Sequence, residues 1–424
     1  MPATASPDHR TPRKDIGFHE FVLLGAALMA MNALSIDPML PALPDIGRDL
    51  RIAHPNDRQL IISVYFVGLG VGSLMLGVLS DRFGRKPVLG TAMALFILST
   101  IACALSPSFP LMLASRACAG FFAGASRVIT VSIVRDRYHG DAMARVMSLI
   151  LAIFMIVPVL APAFGQVILW VAPWRWIFWV LAAIAVPVLL WMTIRLPETL
   201  QPNRRLPLKP RIIGRTVRTV FAIRQSIGYM VASGLVSGGL VGFLLSVQQI
   251  TFDIFDAGPL FPLVFALIAG CMGAGSLVNS RLVARFGARR MSQGALLLLI
   301  AVAIVHLGVI LAGAETIMTF IGLMGLKMLT IAFTGANFSA IAMEPFSRGA
   351  GTASSFQTFL VTVMSAALGA TVGHMFDGTT LPLVLGLLGF GIAALLVIAW
   401  AEHGRLFTRP RRDMLRDPEP DTLR

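Results

Sequence analysis

Charged side chains are scarce in this sequence, at 13% of 424 residues, where ordinary soluble chains carry about 25%. So little polar surface cannot wrap a water-soluble body, and hydrophobic residues make up 56% instead. Cysteines number three, Cys103, Cys118 and Cys271. All fall within apolar runs, which excludes a disulfide framework or a cysteine metal cluster and leaves them as small buried side chains. Also missing are an HExxH pair and a GxxxxGK[ST] loop, and the connecting segments are too short for a catalytic domain, so no enzyme is expected. Met1–Lys14 is polar and lacks the pattern of a cleavable signal peptide. The first apolar run therefore acts as its own insertion signal.

What the sequence does have is apolar runs of about 19–27 residues, the length that crosses roughly 30 Å of hydrocarbon as helix. They read as helices over 18–41, 59–79, 88–106, 110–134, 143–169, 174–195, 226–250, 258–280, 291–313, 316–341, 350–373 and 380–401. An outer-membrane barrel would instead alternate over segments of about ten residues. The expected fold is an all-α integral membrane protein with twelve transmembrane helices in two pseudo-symmetric six-helix halves.

The excess of Lys and Arg, 35 against 21 acidic residues, is explained by position. With the N-terminus in the cytoplasm, 28 of the 35 fall in cytoplasmic segments and 4 on the opposite side, while Arg116, Arg127 and Lys327 lie within helices. That asymmetry predicts both termini inside and removes any need for a nucleic-acid partner. The lipid bilayer and a small-molecule solute are the partners expected, and the chain is expected to work as a monomer.

An internal repeat supports two halves. Gly72–Lys86 (GSLMLGVLSDRFGRK) and Gly275–Arg289 (GSLVNSRLVARFGAR) match at seven of fifteen positions with an offset of 203 residues. The organisation predicted is an N-tail (1–17), an N-terminal half (18–196), a basic linker (197–225), a C-terminal half (226–401) and a C-tail (402–424). Arg211, Arg215 and Arg218 share one helical face of the linker, the pattern of an amphipathic helix on an anionic leaflet; a solvated linker is the alternative.

Several motifs carry a family resemblance. GVLSDRFGRKP (Gly77–Pro87) resembles the loop between helices 2 and 3 in the major facilitator superfamily. Arg116 and Gly120, in LASRACAGFFAG, resemble its helix-4 arginine motif. Pro158, Pro162 and Gly165, in PVLAPAFG, resemble its helix-5 antiporter motif, with Ala161-Pro162 where Gly-Pro is usual. Asp37, Pro41 and Pro44, in SIDPMLPALP, are similar to the helix-1 motif of its drug:proton antiporters. WRWIFWV (Trp174–Val180), LPET (Leu196–Thr199) and GTASS (Gly351–Ser355) resemble the Bcr/CflA-like drug-efflux branch.

The resemblance implies a proton-coupled secondary transporter of a bacterial inner membrane, exporting lipophilic compounds or drugs by alternating access. Protons are then the coupling ion and no cofactor is needed. Proton-coupled uptake of a small acidic metabolite is the alternative, and a non-transporting sensor a remote one. Asp37, a carboxylate within a span, suits reversible protonation; a turn-forming Asp beside Pro38 is the plainer reading. Arg116 is its expected partner at similar depth, unless it snorkels to the interface.

Arg127 and Lys327 depart from the family pattern. A lysine at mid-bilayer costs about 2.5–3.5 kcal/mol on insertion scales, so Lys327 is expected to face the central cavity, with a structural pairing to a backbone carbonyl or polar neighbour as the alternative. Arg127 either lines that cavity or reaches Asp136 or the inner leaflet. Asn32, Tyr65, Gln248, Gln249, Asn337 and Gln357 are further cavity candidates, with interhelical hydrogen bonding as the alternative. Gly77, Asp81, Arg82, Gly84, Arg85 and Lys86 form the expected cytoplasmic gate, Asp81 approaching the start of helix 11 near 349–352. Pro158, Pro162 and Gly165 imply a rocking interface between helices 5 and 8. His306 and His374 read as packing or interface residues, with a proton relay as the alternative.

Overall fold

The structure is a computed structural model that describes residues 16–201, 218–346 and 350–407. Twelve of its helices are long and apolar enough to cross a bilayer, and no strand occurs among the described residues. We number them by span. The N-terminal half holds α1 (Phe18–Ile36), α2 (Leu60–Phe83), α3 (Arg85–Ala104), α4 (Phe109–Arg137), α5 (Gly140–Val171) and α6 (Arg175–Arg195). The C-terminal half holds α7 (Arg224–Gln249), α8 (Phe261–Phe286), α9 (Ala288–Leu311), α10 (Ile317–Met343), α11 (Ala350–His374) and α12 (Leu381–Ala401). Loops rich in Lys and Arg gather at one end of the bundle, called here the basic end; the other is the far end.

The first span is longer than its apolar run suggests. After Ile36 the chain tightens into a 3₁₀ segment, Asp37–Ala42, and resumes as a short helix, Leu43–Asp49. Pro38 and Pro41 lack the N–H groups that α-helical bonding would use, so the tighter turn replaces them while the chain stays roughly on course. Twelve residues of span therefore follow Asp37. It sits deeper than the expected end at residue 41 implied, and Leu40, Ala42 and Ile46 around it are fully buried.

The repeat is visible in three dimensions. Gly84 (φ +107°) and Gly287 (φ +84°) are exactly one repeat apart, and both make the turn between consecutive spans in a backbone conformation that other residues adopt at a cost. At Gly72 a Cβ would run into the carbonyl of Phe121 on α4, and at Gly275 into that of Leu329 on α10. The same close approach thus joins α2 to α4 and α8 to α10. With no hydrophobic force between helices in lipid, such small-residue contacts are what let backbones meet. The halves themselves touch along α2–α11 and α5–α8, the latter agreeing with the expected helix-5/helix-8 interface, where Met155 lies over Gly273.

Large apolar side chains such as Trp170, Ile194, Leu311 and Met318 cover the outside of the bundle. Cys103 is buried, as expected of it, whereas Cys118 faces outward on α4. The proposed amphipathic linker helix lies outside the described residues except for a helical turn at 218–222.

Candidate functional site

The break in α1 organises the site. The Ser35 carbonyl, two residues before Asp37, accepts from the Arg116 guanidinium (Nη1, 3.0 Å). Nε of Arg116 donates to the carbonyl of Ile61 at 3.2 Å. The guanidinium lies 4.4 Å from the centre of the Tyr65 ring and 5.9 Å from that of Phe178, in cation–π contact. Arg116 thereby ties the end of α1 to the start of α2, and it is 1% exposed. One donor, Nη2, has no hydrogen-bond partner, and neither does the Ser35 hydroxyl nearby. A buried guanidinium with an unsatisfied donor stores free energy that a new acceptor would release.

Asp37 is buried two residues from Ser35. Among the described residues its carboxyl makes no ion pair and no side-chain hydrogen bond. The Asp37–Arg116 pair expected from their similar depth is thus not made in this conformation. The far wall is α5: a Cβ at Gly165 would fall on the Pro38 carbonyl, so the helix-5 motif seats directly on the turn that carries Asp37. Sequence reasoning placed this motif only at the α5–α8 interface and missed its second contact.

Of the cavity candidates, Tyr65 and Asn32 adjoin this centre, Tyr65 lying against the Arg116 guanidinium. Tyr65 donates to Asn32 Oδ1 at 3.4 Å, and Gln248 is buried at the end of α7. Arg127 makes no hydrogen bond or ion pair with any described residue; Asp136, its expected alternative partner, is held by Arg85. The Arg127 side chain is exposed on α4.

The others are committed elsewhere. Asn337 donates to Asn279 on α8 (2.8 Å) and Gln357 to Ser339 on α10 (2.8 Å), both interhelical bonds. Gln249 bonds to Gln59 and, at 3.0 Å, to Asn56. Lys327 takes the structural alternative, pairing with a polar neighbour: it is 0% exposed, its Nζ 2.7 Å from His306 Nδ1 on α9. The α9–α10 contact supplied the partner that the cavity was expected to supply. His306 is accordingly more than a packing residue, whereas His374 is exposed at the far end, 3.9 Å from Asp57.

At the basic end, the loop motif builds a compact ion network. Asp81 pairs with Arg85 one turn later (2.5 Å), and Arg85 also holds Asp136 at the end of α4 (3.1 Å) and the Ser80 hydroxyl (2.7 Å). Glu198 of the LPET segment accepts from the backbone N–H groups of Arg85 and Lys86 (3.0 and 3.2 Å), which places a negative charge on the positive end of α3. Arg82 lies over Phe83. Gly77 packs against Ser355 on α11, so the motif does reach that helix; for the expected contact of Asp81 with 349–352, residue 349 and the side chains of 350–352 lie outside the described residues.

The second half answers with a different set of residues. Arg289 pairs with Glu344 (2.9 Å) and Glu402 (2.8 Å), and Tyr229 also donates to Glu402. Removing Arg85, which is 4% exposed, leaves Asp81 and Asp136 close together without their shared cation. Arg85→Gln is expected to destabilise the N-terminal half by about 3 kcal/mol, read as a lower Tm in detergent. An unchanged Tm would make the network incidental.

Among the described residues, the hydrogen bonds joining the two halves lie at the far end. Asn56 donates to the carbonyls of His374 (3.0 Å) and Phe376 (2.9 Å), and Gln59 and Asn56 both meet Gln249. No group of three or more His, Cys, Asp or Glu suited to a metal occurs among the described residues.

Comparison with known proteins places this geometry. Residues 22–370 match the profile of the Major Facilitator Superfamily. The chain is 31% identical over 359 residues to the uncharacterized MFS-type transporter YdgK of Bacillus subtilis, covering 83% of this chain and 87% of that one. It is 28% identical to the bicyclomycin resistance protein homolog of Haemophilus influenzae (89% and 94% covered). With the multidrug resistance protein MdtL of Escherichia coli the identity is 29% (91% and 96%). Among solved structures, the human organic anion transporter MFSD10 superimposes with a TM-score of 0.67 at 20% identity, over 92% of this chain and 100% of that one. This last likeness is one of fold.

Proposed function

Because this chain belongs to the Major Facilitator Superfamily, we propose that it is a transporter that exports small lipophilic compounds in exchange for protons, with Asp37 as the proton-binding group. The observation that carries the reading is a buried carboxyl with no cation bound to it among the described residues, in a proline-broken turn of a membrane span, while Arg116, which holds the Ser35 carbonyl two residues earlier, keeps a free donor. Relatives that are named as drug-resistance proteins support the substrate class. The basic end, with both termini, is assigned to the cytoplasm of a bacterial inner membrane, and the far end to the outside.

In this cycle a proton from outside neutralises Asp37, and the solute leaves. Once the carboxyl faces the cytoplasm and loses its proton, it pairs with the spare donor of Arg116 and the cavity admits solute again. Each proton that enters carries its charge through the membrane potential, worth about 2.3 kcal/mol per 100 mV. The polar contacts of Asn56, Gln59 and Gln249 hold the outer side closed, so opening outward requires breaking them. Arg127 lines the cavity and favours solutes with an acidic or strongly polar group.

The test is reconstitution in liposomes under an imposed proton gradient, with internal pH followed as lipophilic compounds of positive, neutral and negative charge are added. Proton flux driven by these compounds supports the reading. If only a small organic acid moves the signal, and moves inward with the proton, the protein is an uptake system and Arg127 its substrate contact.

A further inference from the structure

Lys327, His306 and Glu315 form an unbroken hydrogen-bonded line inside the C-terminal half, separate from the pocket of Asp37. Lys327 lies ten residues into α10, about 15 Å from its outer start at 1.5 Å per residue. His306 lies on the outer part of α9, its Nδ1 2.7 Å from Lys327 Nζ and its Nε2 2.7 Å from Glu315 Oε1. Glu315 is in the α9–α10 loop, with 13% of its side chain exposed, and its other oxygen accepts from Thr380 at the start of α12. Lys327 and His306 are both 0% exposed.

The partners fix the arrangement of hydrogens. An ammonium only donates, so Nδ1 of His306 accepts and Nε2–H donates to the Glu315 carboxylate. Every link is then oriented in one direction, from buried amine to outer carboxylate. A lysine kept merely for packing would need one neutral acceptor. This one has a two-sided imidazole leading to an acidic group at the outer surface.

We propose that this triad is a second proton-binding site, in which Glu315 and His306 relay a proton between the outside and Lys327. Going outward, an Nζ–H bond breaks as Nδ1–H forms, and the Nε2–H bond breaks as an O–H bond forms on Glu315. The lysine becomes a neutral amine, the imidazole stays neutral with its proton moved to the other nitrogen, and Glu315 becomes a carboxylic acid. Loss of that proton to water completes the release, and the reverse sequence loads the site. No electrons are transferred. In this conformation Lys327 has no exposure to the cytoplasmic side, so the site communicates with the outside alone.

The surrounding ionisable groups are few. Glu315 feels His306 and Lys327, and burial, which raises its pKa, is outweighed by hydrogen bonds from His306 and Thr380 that hold it below the usual carboxylate value. Glu315 is therefore a transient acceptor and the proton rests on the lysine. On α8 the ionisable neighbour is Cys271, against Gly325. Asp377, on the α11–α12 loop, is bound to Thr379, and the α7 side presents Phe255 to Phe320, which in turn meets the His306 ring.

The proposal extends the proton-coupled reading, and its test does not depend on it. Full-length protein in lipid nanodiscs is stepped between about pH 6 and pH 9, a range in which a buried lysine can titrate, and the protons bound per molecule are counted with a dye. Lys327→Met is expected to bind one proton fewer than wild type, and Glu315→Gln to bind the same number at least about tenfold more slowly. Asp37→Asn removes a different proton, so the double variant with Lys327→Met loses two. Equal counts in Lys327→Met and wild type, or an unslowed Glu315→Gln, would overturn the proposal and leave the triad a structural pairing. If Lys327→Met does not fold, the rate in Glu315→Gln decides. Failure of the coupling reading shows separately, as wild-type liposomes in which no solute drives proton flux.

Discussion

Asp37→Asn is expected to reduce solute-driven proton flux to the level of protein-free liposomes, while the protein folds and still binds solute. Asparagine keeps the shape of the protonated side chain but releases no proton. The pocket around residue 37 provides no ion pair to lose, so stability should change little. Solute affinity, which in wild type should rise with pH as Asp37 ionises and engages Arg116, should become independent of pH around residue 37. Asp37→Glu keeps the chemistry and displaces it by one methylene, so partial coupling is expected. Full coupling in Asp37→Asn would move the proton site elsewhere, the C-terminal triad being the next group to examine.

Gly165→Leu is expected to have the other large effect. The α5 backbone meets the Pro38 carbonyl so closely that even a Cβ has no room. Because the obstacle is backbone and not the end of a flexible side chain, relief requires α5 or the 3₁₀ turn to move. Overpacking of this kind costs about 1–3 kcal/mol, so much of the protein should still fold, with a lowered Tm. Transport should suffer far more, since the displaced segment holds both Asp37 and the carbonyl that anchors Arg116. Gly165→Ala should fall between. Rates measured in liposomes beside thermal unfolding in detergent separate the two effects: transport that falls only in proportion to folded protein would reduce Gly165 to a packing residue.

The position of Arg127 bears on what is carried. Under the proposed reading Arg127 is the one cation offered to an acidic solute, because Lys327 is buried against His306. That weakens the uptake alternative without removing it, because a single guanidinium suffices to hold a carboxylate by a bidentate contact.

The membrane class, the number of spans, the two halves and their repeat were all legible in the residues, because each follows from local rules. Twenty apolar residues in a row have few other places to go, and the offset of 203 between Gly84 and Gly287 marks two copies of one turn. The loading of Lys and Arg on one end is likewise a property of order along the chain. Asp37, Arg116 and the Gly77–Lys86 motif stood out for the same reason, as charges or glycines where an apolar run or a tight turn makes them costly or necessary.

What the fold alone decided is which of these residues meet. Depth along a helix can be counted, but the face a side chain presents depends on how twelve helices rotate against one another. Asp37 and Arg116 are at similar depth yet unpaired, the guanidinium being held by the carbonyls of Ser35 and Ile61 instead. Lys327 could be counted to mid-membrane, but only the contact of α9 with α10 turns it toward His306. Glu198 drew notice as part of a motif, and the approach of its loop to α3 made it a helix cap. Each of these contacts joins residues distant in sequence, and long-range packing, which no local pattern encodes, selected the partner.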